Sequence, residues 1–438
     1  MNEHPSTNDE HRDLGLHGRL ATLADRAPVE LPSSDLWSRG KQRQRRRRIG
    51  AVVAAVVVLL GSGGLVGLLH DTKGTPSPAH VPFGDLHIPR TVHAPSPWAK
   101  STAQTGAPGR LAAISLANRT TRRGLTGKHT ALAAFGISAA TGRSVFLGLK
   151  GTTASDLGNG GMALSPDGTK VGYYRFSHGK IRGWAVYDTV TGRTRMLTDP
   201  DNPVIHGALA AELAFSGDSR YLETNYSRSG SDGDRAHDFV VWDVDTGKPT
   251  TIEKAGHYYF PELGSGPSGV VWSRGRSIHI TDPAAGDTAT PPKAPYEVIQ
   301  AAYGPDGRAT LLITFGPTEK APWRVYADGR RVAGAKSPDS VIGWADADHA
   351  VVRSMPSRVV RYVDVRNGKV TDTVRLHGPA AMAPSYAADL WANSLVAGSA
   401  SPRVDDPRPD LVWYGVGAAG GLVVLAGAGL VVMRRRRG

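Results

Sequence analysis

The residues whose types and spacing could do chemistry sit in one short segment, residues 229–238, near the middle of the chain. Asp232, Asp234 and Asp238 fall close together there, and clustered carboxylates are what a hard cation such as calcium takes as ligands. The Asp spacing and the closing Glu of a calcium loop are missing, so the competing reading is a solvated hairpin tip. His237, His257 and His279 are scattered, without the H-x-x-x-H or H-E-x-x-H spacing that sets two imidazoles on one helix face, and zinc is not expected. No cysteine occurs in the sequence, which excludes disulfides, thiolate metal sites and thiol nucleophiles together. No Gly-x-Ser-x-Gly elbow is present, and no local carboxylate pair marks glycoside hydrolysis. Tyr258, Tyr259 and Phe260 have the character of a ligand groove, but aromatics in strands more often serve a core. No catalytic residue, cofactor-binding residue or metal ligand is assigned, and no cofactor is expected.

The elements that would position any such site are repeated. Residues 162–198 open with an apolar pair, Met162 and Leu164, and a turn, Ser165-Pro166-Asp167-Gly168. Alternating apolar residues follow (Val171, Tyr173), then a second such stretch (Trp184, Val186). A further turn ending Thr191-Gly192-Arg193 leads into Thr194, Met196 and Thr198. Alternation of period two over short stretches between turns reads as a four-stranded antiparallel unit. In the turns, Pro presets φ, Asp bonds back to its own backbone and Gly supplies a positive φ, so these are hairpin marks rather than phosphate cradles.

The first turn recurs as Ser216-Gly217-Asp218-Ser219 and Gly304-Pro305-Asp306-Gly307, and weakly at Trp344 to Asp348. The second recurs at Thr141-Gly142-Arg143, Thr246-Gly247-Lys248 and Asn367-Gly368, with a weak copy at Ala285-Gly286. A period of about 40–55 residues points to radially stacked blades. The run from Leu164 through Ser165-Pro166-Asp167-Gly168 to Val171, with Trp184 to Asp188 and Arg195 to Thr198, resembles blades of the WD-repeat and TolB-like propellers. The resemblance covers roughly residues 110–380. It implies a rigid binding platform and assigns no chemistry. The Gly-His dipeptide of WD repeats appears once, at Gly256-His257. Six blades are expected at residues 109–397, and seven if residues 380–397 pair with 83–117.

The 438 residues carry a formal net charge of +13, unevenly spread. Residues 1–48 hold ten Lys/Arg against seven Asp/Glu, and the last five residues hold four Arg. The basicity is therefore concentrated in two short Arg runs, and no nucleic-acid partner is expected. Each run borders an apolar segment. Residues 49–69 are uncharged over 21 residues, about 31 Å as helix, one hydrocarbon core. No A-x-A-like cleavage site follows Leu69, so a signal-anchor is favoured over a cleaved signal peptide. Residues 411–433 form a second uncharged run of 23, ending in Arg434 to Arg437, without a preceding L-P-x-T-G-like sorting motif. Basic ends stay inside, so both termini are expected in the cytoplasm and the blades outside. Gly63 with Gly67 and Gly417 with Gly421 each make G-x-x-x-G, which would pack the two spans together or form a homodimer.

The whole is read as a cytoplasmic basic arm (1–48), a transmembrane helix (49–69), a Pro-rich stalk (70–108), an all-β propeller (109–397), a linker (398–410), a second transmembrane helix (411–433) and an Arg tail (434–438). The arm, with Leu20, Leu23 and Ala24 before Trp37-Ser38-Arg39-Gly40, resembles the N-terminal arms of actinobacterial membrane proteins related to sigma-factor regulators. The expected function is a non-enzymatic binding, scaffold or sensing module in a bacterial plasma membrane, with the bilayer and an unidentified protein as partners. One alternative is a regulator whose arm binds a sigma factor or another cytoplasmic protein. Another is an extracytoplasmic hydrolase or lyase, which would need polar residues converging on the central channel.

Overall fold

The computed structural model describes most of residues 85–406, with Gly417, Gly420, Gly421 and Ala426 beyond them. Left out of that span are 125–126, 153–160, 178–179, 202–212, 227–237, 253–268, 275, 285–287, 290–293, 306–309, 315–323, 328, 333–338, 355–357 and 379–383. The basic arm and the run 49–69 lie outside the described residues, as does most of 411–433. Among the described residues no helix is long and apolar enough to cross a membrane.

The strand pattern read from the sequence is present, and all sheets are antiparallel. The second sheet is the clearest: β4 (Met162–Leu164), β5 (Lys170–Ser177), β6 (Lys180–Asp188) and β7 (Thr194–Leu197) pair in chain order. The third sheet repeats it with β8 (Ala214–Phe215), β9 (Tyr221–Tyr226), β10 (Asp238–Asp243) and β11 (Pro249–Thr251). The fifth holds β15 (Val298–Tyr303), β16 (Thr310–Thr314), β17 (Arg324–Ala327) and β18 (Arg330–Arg331). The sixth holds β19 (Asp339–Trp344), β20 (His349–Ser354), β21 (Val359–Asp364) and β22 (Lys369–Arg375).

The alternation along each strand explains why the sheets stand face to face. In β5, Val171 and Tyr173 enter a core shared with the first sheet, while Tyr174 enters one shared with the third. In β10, Val240 and Trp242 face back to the second sheet, and Phe239 and Val241 face forward to Val270 and Trp272. Val271 then packs with Ala301 and Tyr303, and Ala302 with Val341 and Trp344. Ile342 and Val351 return to the core that holds Leu111 and Phe135. Each sheet thus buries both faces, one on each neighbour, and the succession closes on itself. That is a propeller.

The blade count differs from expectation. Five complete four-stranded blades are described, not six or seven. The remaining sheet, in the fourth place, has three strands among the described residues: β12 (Val270–Arg274), β13 (Ser277–Thr281) and β14 (Thr288–Ala289). Asp282 accepts from the Ala284 amide at 2.8 Å, as Asp188 does from the Val190 amide between the two outer strands of the second blade. This marks β13 and β14 as the outer pair. No innermost strand is present among the described residues, and residues 253–268, which precede β12, lie outside them.

The pairing expected of residues 380–397 with 83–117 occurs, at Ala113↔Tyr386 and Ile114↔Ser385, but it completes the first blade rather than adding a seventh. There β23 (Ser385–Tyr386) joins β1 (Leu111–Arg123), β2 (Gly127–Ser138) and β3 (Ser144–Phe146) as the innermost strand. The ring is closed by strands from both ends of the chain.

Candidate functional site

In the described turns of the second and third blades the Ser and Asp side chains are committed within the turn. Ser165 Oγ donates to the Asp167 carboxylate at 2.6 Å, and the Thr169 amide and hydroxyl donate to it at 3.0 and 2.7 Å. The Lys170 amide in turn donates to Ser165 Oγ at 2.9 Å. Burial alone would raise the Asp167 carboxyl, but these bonds and the charge of Lys170 outweigh it and hold it below the ordinary carboxylate range. Ser216 and Asp218 build the same lock one blade on, with Ser219 at φ 60° where Gly168 stands at φ 73°. The Asp167 amide donates to Ser219 Oγ at 3.3 Å, so consecutive blades join turn to turn.

The second turns behave alike. Asp188 accepts from the amides of Val190 and Thr191, and Asp243 from those of Asp245 and Thr246, while Arg220 pairs with Asp243 at 3.2 Å. Asp364 is held low chiefly by the side chain of Arg366.

Asp389 departs from this pattern. It lies on a short 3-10 helix, Ala388–Ala392, that follows β23 and sets Ala388 and Trp391 against Gly343 of the sixth blade. Its amide donates to the Pro166 carbonyl at 3.0 Å. Its carboxyl is pushed up to about 6, first by lost hydration and then by the neighbouring Asp167 charge, with Arg110 pulling the other way. Two carboxyls driven apart in this manner are the pattern of an acid–base pair. Here, however, the low member has its oxygens committed within its own turn. What the arrangement offers is a proton-sensitive contact between the closing helix and the second blade. The sequence reading missed Asp389, because it lies outside every repeat and its partner is brought to it only by ring closure.

The sites considered from the sequence fare differently. Asp232, Asp234, His237, His257, Tyr258, Tyr259 and Phe260 lie outside the described residues. Asp238 opens β10, with its neighbours of the acidic segment not described. His279 stacks on Trp272, ring centroids 3.9 Å apart and planes 14° from parallel, so it packs on that indole in the fourth sheet. Among the described residues no three His, Asp or Glu side chains are grouped so as to hold a metal ion.

No protein-family model matches the sequence, and neither does any curated protein. Among solved structures, the chain is similar to TolB from Acinetobacter baumannii, with 14% identity over 63% of this chain and 68% of that one, at a TM-score of 0.38. It is similar in the same way to a chain of the nidogen/laminin complex, with 12% identity, 63% and 99% coverage and a TM-score of 0.36. A chain of the mitotic checkpoint complex matches at 15% identity, over 49% and 64%, with a TM-score of 0.34.

Proposed function

We propose that this chain is a membrane-anchored, extracytoplasmic propeller that works as a non-enzymatic binding platform. The observation that carries the reading is how the chain enters and leaves the ring. Residues 88–92 lie between two other segments: Arg90 and Val396 exchange backbone contacts through Arg90 N–H to Val396 O (2.8 Å) and Val396 N–H to Ile88 O (3.1 Å). On the other side, Val92 donates to His377 O at 2.7 Å and His377 donates to Arg90 O at 2.8 Å. Ile88 and Val92, within the segment read as a stalk, are buried in the largest core. Farther on, Ser96 Oγ donates to Val404 O at 3.0 Å, and Ser144 Oγ meets Ser401 Oγ at 3.1 Å.

Both flanking segments are thus fastened to the same blade before the chain runs into the two apolar stretches. Such a fastening suits a rigid body held at both ends, and the committed turn carboxylates leave the exposed loops as the surface on offer. Protease treatment of intact spheroplasts tests the topology: residues 70–410 should be degraded while both basic tails survive. Survival of the propeller together with the tails would overturn the extracytoplasmic reading. Crosslinking before digestion, followed by mass spectrometry, then identifies what the platform holds.

A further inference from the structure

Residues 86–155 contain nine Lys/Arg and no Asp or Glu, in a chain whose remainder mixes both signs. These residues build the first blade and the segment that leads into it. The blade also departs from its neighbours in shape. Its β1–β2 hairpin pairs without interruption from Ala113↔Ile137 out to Arg123↔Gly127, whereas β9 and β10 pair over six residues each. The inner half of β1, from Leu111 to Leu116, is buried, but Arg122, Arg123, Lys128 and His129 are all exposed at the outer end. Arg119, nearer the body, lies over the Phe146 ring at 5.6 Å and donates to Gln104 at 3.1 Å, which steadies the base of the projection.

The direction of this hairpin is fixed by its contacts. Leu111 starts β1 beside the first turn of the second blade, donating to Gly168 O at 2.9 Å, so Arg123 ends it on the opposite face of the ring. On that opposite face the Thr120 amide donates to Pro97 O at 2.7 Å. The next residue back, Ser96, holds Val404 through two hydrogen bonds, of 3.0 and 3.1 Å. The outgoing chain therefore leaves the propeller on the face from which the basic hairpin projects.

From the described end at residue 406, only residues 407–410 separate the propeller from the apolar run 411–433. Four residues reach at most about 14 Å. The hairpin, at about 3.3 Å per residue, extends roughly 10 Å from Thr120 to Arg123. If the chain is anchored as proposed above, on which this inference rests, the hairpin end lies at headgroup height. Residues 70–84 are long enough to bring the first apolar run to the same side, at up to about 50 Å. We infer that the end of the β1–β2 hairpin is a membrane-docking element whose Arg122, Arg123 and Lys128 bind the anionic headgroups of the bilayer in which the chain is anchored, and so fix the tilt of the propeller. An acid-free cationic projection beside the membrane-proximal exit is complementary to a negatively charged lipid surface, and each cation near such a surface strengthens its binding about fivefold.

The absence of cysteine makes the test direct. The full chain carrying Thr121→Cys, labelled with a fluorophore, is reconstituted in bilayers of phosphatidylcholine with or without phosphatidylglycerol. A matching chain labelled at Val190→Cys, in an exposed turn of the second blade, serves as reference. Headgroup-attached quenchers should quench the hairpin probe several-fold more than the reference in phosphatidylglycerol bilayers, and the difference should fall in high salt. Arg122→Gln, Arg123→Gln and Lys128→Gln together should abolish it, with the melting temperature unchanged. Equal quenching at both positions in a chain that resists alkaline extraction overturns the docking proposal and leaves the anchoring intact. A chain released by alkaline extraction overturns the anchoring reading itself, and the docking proposal with it.

Discussion

At the scale of single residues, the turn chemistry is legible in the sequence alone, because Ser, Pro, Asp and Gly at fixed offsets have local reasons to be there. Gly168 shows the limit of that reading. Its positive φ of 73° follows from the turn type, but a Cβ there would also lie 2.2 Å from the Leu111 carbonyl oxygen, a contact made by a different blade. Gly168→Ala should therefore cost more than a left-handed alanine alone, about 2–4 kcal/mol, read from denaturant unfolding. Asp389 was not legible at all, and it predicts a pH dependence with a definite sign. An acid whose folded value is raised binds more protons in the native state, so its contribution is favourable below the unfolded value near 3.8 and is lost as pH rises through about 6. Asp389→Asn should leave the melting temperature unchanged at pH 4 and raise it by about 1–3 °C at pH 7. A larger effect at pH 4 than at pH 7 would show that the carboxyl acts through something other than its charge.

At the scale of elements, the strands and their two hairpin turns were readable wherever the repeat kept its alternation, as in β5 with Val171 and Tyr173 set against Tyr174. The closing strand β23 was harder. Two residues have no period, and nothing local says whether Ser385 and Tyr386 begin a new blade or finish an old one; the unpaired inner edge of β1 decides it, and only the closed ring presents that edge. The 3-10 helix after β23 secures the closure. Trp391 is 2% exposed, stands edge-on to Tyr386 with centroids 5.4 Å apart, and covers Gly343, where an added Cβ would meet its ring at 2.3 Å. Trp391→Ala should cost about 3–5 kcal/mol, the range for emptying a large aromatic site. Because the same side chain packs the chain after the last strand against Gly343 of the sixth blade, protease cleavage within residues 387–400 should appear in the variant under native conditions. If unfolding is weakened without that cleavage, the indole fills space but does not latch the ring.

At the scale of the whole molecule, composition announced two apolar runs with Arg borders, and the repeat announced a ring between them. What neither could announce is that the incoming and outgoing chains run side by side over the first blade. That arrangement depends on close approach: Gly398 passes so near Thr91 that an added Cβ would fall 1.7 Å from its carbonyl oxygen. Fixing the outgoing segment to β3 of the first blade ought to restrain nearly the whole propeller, because Ser144 and Ser401 are 257 residues apart in sequence and their hydroxyl oxygens are 3.1 Å apart in space. Replacing both, Ser144→Cys with Ser401→Cys, needs only a small approach for the sulfurs to reach bonding distance. No other cysteine competes for the pairing. Closing so long a loop removes conformational freedom from the unfolded chain, and a gain of about 2–4 kcal/mol is expected, reversed by reductant. The gain should appear as slower unfolding if parting of the outgoing segment from β3 opens the ring. A disulfide that forms without slowing unfolding would place the first opening between two other blades, and the shared core of Tyr221, Phe239 and Val241 with the three-stranded fourth sheet is then the interface to lock next.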